Sequence, residues 1–213
     1  MVATASDRLE ASAPPPAGPA PAAGAPVREA PAPARPASPK YDWGVAVYAG
    51  KSSPSNFTSL FYSPWRAEFE NTYLLNLSVS RRLFSLGEHV DTELEVNVGK
   101  RFGDDDSWEF ASALFVRYDG FPWNHRVHTT VGVAVLGPSF ATGISETERR
   151  KAGNDNRGSK LLNFFSPEIT LADPDRPEFA YVFRLHHRSG VFGLFDGVSG
   201  GSNFPSVGMR YRF

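Results

Sequence analysis

The chain has 213 residues with 22 basic and 23 acidic side chains, and its formal net charge of −1 points to neither nucleic acid nor a strongly charged partner. It has no cysteine, which excludes disulfides and thiol chemistry but fits either a reducing or an oxidising compartment. No run approaches the roughly 20 apolar residues of a membrane helix, which leaves open a transmembrane β-barrel with its alternating segments of about 10 residues.

Of the 18 prolines, 10 fall within residues 1–40, which are also crowded with alanine. Such a segment has too little apolar bulk to repay the entropy of ordering, so residues 1–40 are expected to be a disordered or polyproline-like tail. The folded domain is expected at 41–213. Residues 1–30 contain no apolar signal-peptide core, so export requires that a leader was removed or that the start lies elsewhere.

Eight strand-like segments follow the tail. Tyr41 to Gly50 sets Trp43, Val45 and Val47 against Gly44, Ala46 and Tyr48. Leu74 to Leu83 sets Leu75, Leu77 and Val79 against Asn76, Ser78 and Ser80. Asp91 to Phe102 and Ser107 to Tyr118 carry Leu94, Val96, Val98, Phe110 and Leu114 opposite Glu93, Glu95, Glu109 and Arg117. Val127 to Thr142 reads as one long strand, and Leu161 to Ala172 sets Phe165, Ile169 and Leu171 against Ser166, Glu168 and Thr170. Phe179 to Ser189 and Phe204 to Phe213 close the chain. Every segment has period 2, and no helical period of comparable length competes. An all-β, eight-stranded antiparallel up-and-down barrel is expected, because closure leaves no exposed edge.

Alternation does not say which face is inside. A soluble ligand-binding barrel turns its apolar face inward, whereas a transmembrane barrel turns it outward. The polar face carries full charges of both signs (Glu93, Glu95, Glu109, Arg117, Glu168, Arg184, Arg210, Arg212), able to pair in a narrow lumen. Aromatic residues sit near strand ends, where interfacial girdles belong, and the last residue is an outward-phase Phe213. These features favour the membrane barrel. The connections 51–73, 103–106, 143–160 and 190–203 then face outward, all but 103–106 long, and those at 84–90, 119–126 and 172–177 are short periplasmic turns.

The seventh strand ends in His187-Arg188-Ser189, with His187 and Ser189 on the lipid-facing phase at the outer-leaflet level. Residues two apart on one strand face stand roughly 6.5–7 Å apart, within reach of an imidazole leaning along the strand. A serine hydroxyl needs such a base to act as a nucleophile, and a third group, commonly a carboxylate, would orient the imidazole. Polar groups on the lipid face have no ordinary reason to be there. His186, in the opposite phase, reads as a lumen residue.

This arrangement resembles the lipid A 3-O-deacylases, eight-stranded outer-membrane barrels with a His-x-Ser in the penultimate strand. The resemblance implies Ser189 as nucleophile, His187 as general base, and lipid A or lipopolysaccharide as the partner. The reaction would be removal of the ester-linked 3-hydroxyacyl chain in the bacterial outer membrane, without cofactor or metal. Two positions depart from that family, whose oxyanion-hole asparagine and triad glutamate stand where this chain has Gly190 and Gly201. Beyond Glu178 the only carboxylate side chain is Asp196, which makes it the candidate orienter. Gly200-Gly201-Ser202-Asn203 reads as a flexible turn whose amides, or Asn203 itself, are candidate oxyanion donors, with Gly190 as a supporting position. Arg149, Arg150 and Lys151 are candidate contacts to lipid A phosphates, with a solvated polar loop as the other reading. No phosphate loop, zinc spacing or dinucleotide fingerprint is present. The alternative is a non-catalytic outer-membrane barrel that has lost the acid of the triad.

Overall fold

Strands that are apolar on one face and charged on the other satisfy both faces by closing on themselves, and the chain does so. The computed structural model describes residues 40–153 and 157–213. Its strands are β1 (Trp43–Lys51), β2 (Thr72–Ser85), β3 (Val90–Gly103), β4 (Ser107–Tyr118), β5 (His128–Leu136), β6 (Pro138–Ala141), β7 (Leu161–Ala172), β8 (Phe179–Ser189) and β9 (Gly201–Arg212). β5 and β6 are two halves of one barrel strand, both pairing with β4 and β7, so the barrel is a closed eight-stranded antiparallel one. Closure runs from Gly44↔Arg212 to Gly50↔Ser206, and Trp43 and Phe213 exchange both backbone hydrogen bonds at 2.9 Å. The expected tail, apart from Lys40, lies outside the described residues.

Two boundaries differ from expectation. The single strand expected over Val127 to Thr142 is interrupted at Gly137-Pro138. Pro138 has no N–H to give the ladder, and the β4 register shifts between Leu114 and Phe115. A Cβ at Gly137 would lie 2.2 Å from the Ser112 carbonyl oxygen, so only glycine fits this close approach. The last strand begins three residues earlier than expected, because its ladder with β8 continues up to Ser189↔Gly201.

The face question is decided by burial. Val47, Leu77, Val96, Phe183 and Val207 are each about half exposed on the outside, whereas Glu95, Arg117, Glu168 and Arg184 inside are at most 3% exposed. An apolar exterior around a charged interior excludes the soluble barrel with an apolar cavity. In the lower lumen three arginines meet three glutamates. Arg117 bonds Glu93 at 2.7 Å, Glu95 at 2.9 Å and Glu168 at 2.7 Å. Arg184 bonds Glu95 at 2.7 Å and also Glu168, while Arg210 joins Glu93 and Glu168. Arg212 departs from the expected pairing and donates instead to the Pro177 carbonyl at 2.6 Å. The balanced charges fill the interior of an eight-stranded barrel, which has room for side chains but not for a channel.

Two one-turn helices stand in the outer loops, α1 (Phe57–Tyr62) between β1 and β2 and α2 (Glu146–Lys151) between β6 and β7. α2 starts in a capping box. The Glu148 N–H donates to Ser145 Oγ at 3.1 Å and the Ser145 N–H to Glu148 Oε2 at 3.2 Å. The other carboxylate oxygen of Glu148 accepts from Arg101 at 3.2 Å, Arg188 at 2.9 Å and Ser202 Oγ at 2.8 Å. Burial alone would raise the Glu148 carboxyl, but the two guanidinium groups outweigh it and hold the group below the usual carboxylate range. Glu148 thus staples the third outer loop into the barrel mouth.

Candidate functional site

At the outer ends of β7, β8 and β9 the lipid-facing phase changes from apolar to polar. Register sets the side chains in two rows, Asn163–Ser189–Gly201 and, one step below, Phe165–His187–Asn203. Over them folds the first outer loop, tied down by the Ser53 N–H donating to the Asn203 carbonyl at 2.9 Å. Phe57 of α1 lies on the His187 ring at a centroid distance of 5.0 Å and on Phe165 at 5.5 Å. Loop and wall enclose a cleft of about 560 Å³ onto which Ser189, His187, Asn163, Asn203 and Lys151 open.

The group on His187 is Asn203. Its Oδ1 lies 2.6 Å from His187 Nδ1, and its Nδ2 donates to the Ser55 carbonyl at 2.8 Å. A carbonyl oxygen can only accept, so it turns the amide NH2 toward Ser55 and Oδ1 toward the imidazole. Nδ1 therefore carries the hydrogen and Nε2 keeps its lone pair, which is the tautomer a general base requires. No hydrogen bond joins Ser189 to His187 among the described residues. In substrate-free sites such bonds are often long and tighten only with substrate.

The remaining candidates separate. Asp196 sits exposed in the turn 190–200 with φ of 53° and does not line the cleft, and the side chain hydrogen-bonded to His187 is that of Asn203. The Gly190 N–H is committed to the Gly200 carbonyl at 3.0 Å, which removes it as an oxyanion donor. The two departures from the deacylase pattern share one cause. A Cβ at Gly190 would stand 1.8 Å from the Val198 carbonyl oxygen, and one at Gly201 1.7 Å from that of Arg188. The tight β8–β9 connection leaves no room for an asparagine or a glutamate at either place.

Of the three basic residues expected at lipid phosphates, Arg150 is paired with Glu70 at 2.6 Å and Arg149 is exposed on α2. Lys151 alone of the three lines the cleft, its Nζ 3.4 Å from the Ser55 carbonyl, and partial burial pushes its ammonium below the usual lysine value. His186 faces the lumen as expected, bonded to Glu109 at 2.8 Å and to the Tyr48 hydroxyl at 3.0 Å. Asn163 and Phe57 were missed. Asn163 carried a usable signal, since it shares the apolar phase of Phe165 and Ile169, whereas Phe57 reaches the site only through the fold of its loop.

No family model and no curated protein matches the sequence. Among solved structures the fold is similar to the outer membrane enzyme PagL, with a TM-score of 0.53 and 13% identity over 80% of this chain and 99% of that one. Neisserial surface protein A, NspA, matches at TM-score 0.48 and 13% identity over 80% of this chain and 96% of that one. A designed transmembrane β-barrel matches at 0.44 and 11% identity over 83% and 98%. At such identities the likeness is one of fold, that of outer-membrane β-barrels.

Proposed function

We propose that this chain is an outer-membrane esterase of the lipid A 3-O-deacylase type, in which Ser189 attacks the ester, His187 carries the proton and Asn203 orients His187. The observation that carries the reading is the Ser55–Asn203–His187 chain of hydrogen bonds, which puts the hydrogen on Nδ1 of a histidine on the same strand face as Ser189. The setting supports a lipid substrate. The cleft lies at the upper edge of the lipid-facing wall, flanked by Phe57 and Phe165 on its apolar side and by Lys151 on the loop side, where an anionic headgroup would sit. An asparagine in place of the acid still fixes the tautomer, as in thiol proteases with a Cys-His-Asn arrangement, but it supplies no charge to an imidazolium.

The reading is tested by incubating the purified, refolded protein with lipopolysaccharide and weighing the released lipid A by mass spectrometry. Wild type should lower the lipid A mass by one 3-hydroxyacyl group, and Ser189→Ala should leave it intact. Identical intact spectra for both would instead favour a non-catalytic barrel, the reading that the missing carboxylate supports. Within an active enzyme, Asn203→Ala should reduce kcat by about 10²-fold or more, because the imidazole is no longer held in one tautomer. Initial rates of 3-hydroxy fatty acid release measure this, and a rate within a few-fold of wild type would remove Asn203 from the role.

A further inference from the structure

Attack on an ester places negative charge on the carbonyl oxygen, and a preorganised donor at that point is usually worth more than any other single contribution. Two of the donors suggested by the sequence are already engaged. The Gly190 N–H is spent on Gly200, and Asn203 has Oδ1 on His187 and Nδ2 on Ser55. Among the described residues the exposed Asn56 side chain and the Gly200 N–H are uncommitted in the cleft, but the amide opposed to Ser189 in register is that of Asn163. Asn163 accepts at Oδ1 from the Gly137 N–H at 3.4 Å, and its Nδ2 has no hydrogen-bond partner among the described residues.

We propose that Asn163 Nδ2 is the oxyanion donor for acyl transfer at Ser189, an assignment that rests on the esterase reading above. Asn163 and Ser189 are directly opposed in the β7–β8 register and lie on the same, outward phase. Opposed residues on one sheet face have Cβ atoms about 4.5–5.5 Å apart. A carbonyl oxygen can then sit about 3 Å from both groups. Asn163 is only 7% exposed and lines the cleft, although its strand neighbours on that phase are apolar.

The break in the barrel strand explains how the amide is aimed. At Gly137-Pro138 the regular ladder with β7 lapses, and Asn163 Oδ1 takes the Gly137 N–H. With Oδ1 held there, Nδ2 is turned to the other side.

The chemistry closes without a cofactor. Ser189 Oγ bonds to the ester carbonyl carbon as its proton passes to His187 Nε2, and the carbonyl π pair moves onto the oxygen that accepts from Asn163. When the carbonyl re-forms, the bond to the sugar oxygen breaks and that oxygen takes the proton from His187. Water repeats the sequence on the acyl-enzyme and returns free serine.

The informative variant is Asn163→Asp, which keeps the size and the Oδ1 acceptor for Gly137 while removing the donor. Its kcat should fall about 10²- to 10³-fold, with KM within about twofold, and Asn163→Ala should behave alike. Circular dichroism and the thermal midpoint in detergent should match wild type for the aspartate variant. An aspartate variant with wild-type kcat, or one that changes KM alone, overturns the assignment while an active wild type with a dead Ser189→Ala leaves the esterase reading standing. A wild type that releases no fatty acid, or a Ser189→Ala as active as wild type, overturns both.

Discussion

Alanine at Ser189 or at His187 is expected to lower the rate of 3-hydroxyacyl release by about 10⁴-fold or more, and alanine at both no further. The reason is that the two side chains share one step. A hydroxyl without a base is a weak nucleophile, and a base without the hydroxyl has nothing to deprotonate. The hydrogen bonds that set the imidazole do not depend on Ser189, because they run to Asn203 and on to Ser55. Ser189→Ala therefore leaves the site assembled and removes the reacting oxygen alone. The check is a four-member cycle of wild type, both single variants and the double variant on purified lipopolysaccharide. Losses that multiply, or a single variant within tenfold of wild type, would show that the pair does not act as a unit.

The second large effect is on stability. Glu168→Gln should destabilise the folded barrel by about 3–5 kcal/mol, since removing one partner of a buried ionic network leaves the others uncompensated. Glu168 is bonded to three guanidinium groups, those of Arg117, Arg184 and Arg210, and three glutamates balance the three arginines there. The neutral amide leaves that cluster with an excess positive charge where water does not reach. By contrast Asp106, paired with Lys100 but 80% exposed in the hairpin between β3 and β4, should change stability by less than about 1 kcal/mol when replaced by asparagine. Denaturant unfolding in detergent or lipid, followed by tryptophan emission, compares the two. A Glu168 variant no weaker than the Asp106 variant would mean that the lumen network contributes specificity of fold rather than stability.

Both effects were partly legible before any fold was known. Period-2 alternation marks the strands because a strand sends successive side chains to opposite faces, and the lumen charges were recognisable as one phase of that pattern. His187 and Ser189 stood out for the converse reason, being polar on an apolar phase. Asn163 bears the same mark on Leu161–Ala172, and the Ser145-x-x-Glu148 capping box likewise stood in the chain as a helix signal. The residue hydrogen-bonded to His187 was not legible in this way. Asp196 was the one acid near the end of the chain, and charge alone recommended it, but a turn holds it away from the cleft while register sets Asn203 beside His187.

The sequence by itself determined the strands, their order and the His-x-Ser pair, because these depend on local alternation and on turns. Only the tertiary structure decided which face meets lipid and which residues flank the pair. The first depends on whether the charges find partners across a closed lumen, and the second on cross-strand register. Register joins residues far apart in the chain, Asn163 with Ser189 and Asn203 with His187, and no local pattern encodes it. The same register brings Gly201 against Ser189, where the Arg188 carbonyl leaves no space for a Cβ, and it sets amides, Asn163 and Asn203, beside Ser189 and His187.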